Sequence, residues 1–137
     1  MMIMEYNSFH YRGRWPTSFG LKEGCAALRD YAYRPAHESS DDFYLVTHIL
    51  YVLSCYSSIR LRENMAPGLF RYVRRSLRAW LEVARKDTGD IRKNHAIDLD
   101  GVAECLDLLR GAGFTEITDP DLCEGTLLLL AAQNKNG

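Results

Sequence analysis

At 137 residues, with 47% hydrophobic and 26% charged side chains, the chain has the make-up of one folded domain, able to bury roughly two thirds of the surface its extended form exposes; the composition favours neither disorder nor a fibrous repeat. A formal net charge of −1 argues against a generally basic nucleic-acid binder. The longest uncharged apolar run, Phe43–Ile59, is shorter than the about 20 residues a membrane span requires, and the start of the chain has neither a basic leader nor a long apolar core, so a cytoplasmic protein without membrane contact is expected.

Residues 1–20 carry Tyr6, Phe9, Tyr11, Trp15 and Phe19, five of the fifteen aromatics, while Gly13 and Pro16 interrupt any helix. This predicts an extended arm packed across a helical body. Leu21, Cys25, Leu28 and Ala32 recur at helical spacing, predicting a helix over Leu21–Tyr33 that Pro35 ends. The next stretch, Phe43–Ile59, has twelve apolar residues in seventeen. They fall on every side of a helical projection, so a central buried helix over about 40–62 is expected, with Ser39 or Ser40 as its cap, Asp41 and Asp42 at its positive end, and Arg60 and Arg62 at its negative end.

Pro67 suits the first turn of a helix running to about Lys86, in which Phe70, Val73, Leu77, Trp80, Leu81 and Ala84 form a buried stripe. Residues 87–96 read as an exposed loop. Asp98 can cap a helix over Leu99–Arg110 that buries Val102, Cys105, Leu106 and Leu109 and ends at Gly111 and Gly113. After a connector or short strand at 114–117, Asp119-Pro120 opens a last helix to about Gln133, with Leu122 and Leu127 to Leu130 buried. The expected fold is all-α: one domain over 1–137, a compact bundle of about five helices around the 40–62 helix, with the aromatic arm laid across it.

Charge is segregated along the chain. Residues 1–59 hold five bases and six acids, residues 60–93 ten and four, and residues 94–137 two and eight, giving −1, +6 and −6. In the basic segment Arg71, Arg75, Arg78 and Arg85 share a helix face flanked by Arg74, a set able to grip phosphates. In the acidic segment Asp100, Glu104 and Asp107 line one face opposite the buried one, and Asp121 and Glu124 extend it. Like charges at those steps cost a few tenths of a kcal/mol each, so either the chain's own arginines or a basic partner is expected to compensate.

No chemistry of catalysis or metal binding emerges from the remaining residues. Cys25, Cys55, Cys105 and Cys123 form no Cys-x-x-Cys pair and are expected to be reduced core thiols. Asp98-Leu-Asp100-Gly101 lacks the rest of a calcium loop, and no histidine accompanies the acidic trio, so no metal or other cofactor is expected. His10, His37, His48 and His95 show no ligand spacing; His48, between Tyr44 and Tyr51, is expected to be a hydrogen-bonded core residue. No phosphate-cradling, dinucleotide or nucleophile-elbow motif is present, which favours a non-enzymatic protein.

A small helical chain rich in arginine, without a catalytic motif and with the acidic set Asp100, Glu104, Asp107, Asp121 and Glu124, resembles the immunity proteins of bacterial contact-dependent inhibition and related toxin systems. The resemblance implies a cytoplasmic protein that binds one cognate toxin domain, often a nuclease, and blocks it; basic nuclease clefts make acidic surfaces natural partners. A second reading is a nucleic-acid-binding regulator using Arg71, Arg74, Arg75, Arg78 and Arg85. In support, Cys105-Leu-Asp-Leu-Leu-Arg-Gly-Ala-Gly-Phe114 is similar to the helix and turn entering the wing of winged-helix regulators, although a leucine-rich helix follows instead of a strand. A third, a chaperone or adaptor with a peptide groove, requires an exposed apolar patch.

Overall fold

The computed structural model describes residues 39–56 and 58–133. The expected aromatic arm, the helix over Leu21–Tyr33 and the last four residues lie outside the described residues. Within them the chain is all-helical, without a strand: α1 (Ser40–Leu53), α2 (Pro67–Lys86), α3 (Leu99–Ala112) and α4 (Pro120–Ala132), with short 3-10 turns at Glu63–Met65 and Ile91–Lys93.

Local chemistry sets most helix ends. Ser39 Oγ accepts from the Asp42 amide at 3.2 Å, Asp98 Oδ1 from Gly101 at 3.0 Å and Asp119 Oδ1 from Leu122 at 3.2 Å, so three of the four helices begin on a side-chain cap. The fourth, α2, opens on Pro67, which gives up only an amide that had no partner within the helix. Gly113 ends α3 in the left-handed region at φ 97°, where a side chain would be strained.

The C-terminus of α1 departs from expectation. The apolar pattern predicts helix to about residue 62, but α1 stops at Leu53. Ser54 Oγ donates to the Tyr51 carbonyl at 3.1 Å, and Cys55 and Tyr56 both turn left-handed, at φ 50° and 53°. Arg60 therefore does not cap α1. Its guanidinium donates instead to the carbonyls of Ala112 (3.1 Å) and Gly113 (3.4 Å), a cation placed at the negative end of α3.

Among the described residues α2 and α3 form the central pair. Each packs against the other and against both α1 and α4, while α1 and α4 have no more than marginal contact with one another. The organising role expected of 43–59 therefore falls, in this part of the chain, to α2 and α3. The core joins Phe43, Val46 and Leu50 of α1, Phe70, Val73, Leu77, Trp80 and Leu81 of α2, Val102, Cys105, Leu106 and Leu109 of α3, and Leu122 and Leu128 of α4. Phe43 meets Trp80 edge to face at 5.0 Å. Close approach relies on two glycines: a Cβ on Gly101 would lie 2.6 Å from Trp80, and one on Gly125 2.8 Å from Leu106.

Two expected core assignments are corrected. Of the leucines of α4 only Leu122 and Leu128 are buried, whereas Leu127 and Leu130 are 60% and 56% exposed, because four consecutive leucines cover more than the one side that meets α2 and α3. In α1, Asp41, Leu45 and His48 share the solvent face at helical steps, so His48 is exposed and not a core histidine.

Candidate functional site

The two charged helices face each other. On α2, Arg74, Arg78 and Arg85 point at α4, where Arg74 Nη1 lies 2.6 Å from Asp119, Arg78 Nε 2.7 Å from Asp121 and Arg85 Nε 2.7 Å from Glu124. Arg74 is the most enclosed: its side chain is 17% exposed and that of Asp119 7%, its guanidinium sits 4.4 Å above the Phe114 ring, and Glu63 approaches to 3.6 Å. The Arg85 guanidinium holds the Glu124 carboxyl below its ordinary range. Arg110 does the same for Glu116, which also accepts from Thr126, tying the α3–α4 turn to α4.

This pairing divides the expected site residues. Asp121 and Glu124 are neutralised inside the fold, as are three of the five expected phosphate ligands, Arg74, Arg78 and Arg85. Only Arg71 and Arg75 remain, both exposed and without a carboxylate partner among the described residues. Of the eight acids in the segment from residue 94 onward, four (Glu116, Asp119, Asp121 and Glu124) form ion pairs. The other four, Asp98, Asp100, Glu104 and Asp107, lie together on α3 and its cap.

These four acids face the tyrosines of α1. Tyr44 and Tyr51 are seven residues apart, as are Asp100 and Asp107, so the two helices present matching rungs along their contact. The Tyr44 hydroxyl lies 3.2 Å from Asp100 Oδ2 and 3.4 Å from Asp98 Oδ2, donating to the acids. Burial first, then the charges of Asp98 and Asp100, push the Tyr44 phenol from 10.0 up to about 12. Tyr51 is pushed up as well, by burial and then by Asp107 and Glu104, and its ring stacks on that of Tyr56 at 5.9 Å and 11°.

Glu104 is half-buried, not on the open face expected of it. Its Oε2 is sealed from solvent without a hydrogen-bond partner, alone among the side-chain oxygens and nitrogens of the described residues. Asp100, Asp107 and His48 are exposed at the rim, the His48 ring 6.0 Å from that of Tyr44. No arginine, lysine or histidine ion-pairs with these four acids among the described residues. The seam thus offers acceptors, concentrated negative charge and aromatic surface, the complement of a basic side chain.

Asp98 and the tyrosines were not singled out by sequence as part of this surface. The shared spacing of seven is the signal that connects them, and it becomes informative only once α1 and α3 are known to lie side by side. Elsewhere, Cys105 Sγ sits in the core 3.5 Å from the Val73 carbonyl, burial pushes its thiol up, and Cys55 and Cys123 are half-buried and free. His95 is exposed on the loop; Cys25, His10 and His37 lie outside the described residues. Among the described residues no three His, Cys, Asp or Glu side chains are placed to hold a metal ion, and no helix is long and apolar enough to cross a membrane. Comparison of the chain with protein-family models, with curated proteins and with solved structures gives no significant match.

Proposed function

We propose that the chain is a non-enzymatic, cytoplasmic protein-binding protein that captures a basic partner through the seam between α1 and α3, with Asp100, Glu104 and Asp107 as the charged contacts and Tyr44, Tyr51 and His48 beside them. Within this proposal the partner is a cognate toxin domain, such as a nuclease, whose substrate cleft the acidic surface occupies, in keeping with the likeness to immunity proteins. One observation carries the reading: four carboxylates of the −6 segment are paired with arginines, and the other four converge on one seam with no cation among the described residues. Unpaired negative charge of this kind steers a basic protein into contact and fixes its register. The nucleic-acid reading loses three of its five arginines to ion pairs within the fold. The proposal also takes the helix over Leu21–Tyr33 and the aromatic arm as the remainder of the bundle, on the strength of their spacing and composition.

The test is a nuclease-treated pull-down from the source cell's lysate, read by mass spectrometry, with the wild type, the triple reversal D100K/E104K/D107K and the pair R71E/R75E. A stoichiometric basic toxin-like partner, captured at least about tenfold less by the triple reversal (roughly 1.4 kcal/mol) with an unchanged circular dichroism spectrum, is the expected result. Undiminished capture by the triple reversal would sink the assignment of the seam. Recovery of salt-sensitive nucleic acid in an untreated lysate, abolished by R71E/R75E, would replace it with the arginine reading.

A further inference from the structure

We draw no further inference here: the strongest candidate, the exposed apolar stripe of Leu127, Leu130 and Ala131 along α4, carries nothing because nothing in the structure shows what covers it.

Discussion

Of the three rungs between α2 and α4, the Arg74–Asp119 pair should dominate stability, and Arg74→Met isolates it. Methionine keeps an apolar stem against Phe114 but removes the guanidinium that lies 2.6 Å from a carboxylate only 7% exposed. Breaking a buried pair by removing one member costs about 3–5 kcal/mol, because the surviving charge is left without compensation. Two features reduce that figure here. Asp119 keeps its cap bond from the Leu122 amide, and the Arg74 side chain is 17% exposed, so solvent reaches part of the gap. The expected loss is about 2–3 kcal/mol, a large share of the roughly 5–15 kcal/mol that holds a typical domain together. Arg78→Met, at a pair whose arginine is 59% exposed, should cost only about 0.2–1 kcal/mol. Urea denaturation followed by far-UV circular dichroism measures both, and Asp119→Asn, which retains the cap, closes a double-mutant cycle with Arg74→Met. Equal losses for Arg74→Met and Arg78→Met, or a cycle with no coupling, would refute the view that the charge segregation is settled within the fold at this node.

Two further perturbations probe the α1 side. Because the Tyr44 phenol is raised from 10.0 to about 12 and Tyr51 is also raised, the unfolded chain loses these protons first; stability is intact below pH 10 and falls as pH climbs from there towards 12. Thermal melts across that window should show the decline, and Tyr44→Phe with Tyr51→Phe should flatten it; an equally steep decline in the double variant would show that other groups are responsible. Cys55→Gly removes the left-handed strain of about 1–2 kcal/mol at φ 50° at an entropic cost of about 0.5–1 kcal/mol, so a small rise in melting temperature is expected. A fall would mean that packing of the half-buried thiol outweighs the backbone term.

What the sequence revealed divides along the range of the interactions. The caps at Asp98 and Asp119, Pro67 at the start of α2 and Gly113 at the end of α3 are all legible, because each acts within one helical turn. The end of α1 is not, since its left-handed pair is Cys55 and Tyr56, residue types that carry no stop signal, and the apolar pattern runs on through Ile59. Periodicity also shows that Arg74, Arg78 and Arg85 share a face without showing what that face meets; Asp119 lies 45 residues away. The same limit explains the leucines of α4, where four in succession satisfy any choice of buried side, and the seam, where Tyr44 and Tyr51 match Asp100 and Asp107, residues 56 positions further along the chain on another helix.

The seam also suggests how stability and function oppose one another. Asp100, Glu104 and Asp107 repel at one-turn spacing, and a phenol that donates a hydrogen bond eases this without neutralising it. His48 occupies the exposed position between Tyr44 and Tyr51, so His48→Arg would supply within the chain the cation that the proposal assigns to the partner. An exposed pair of this kind contributes about 0.2–1 kcal/mol, and a small gain in urea resistance is expected. Capture of the partner should weaken at the same time, because the added charge both occupies the carboxylates and repels a basic surface; His48→Gln, which adds no charge, should leave both properties near wild type. Pull-down and denaturation on the same preparations decide the matter. A variant with raised stability and undiminished capture would show that the acids are within reach of the new cation but lie outside the contact with the partner, moving the binding surface away from the seam. A variant with lowered stability would mean that the carboxylates are already compensated in the folded chain, and the argument from unpaired charge would lose its basis.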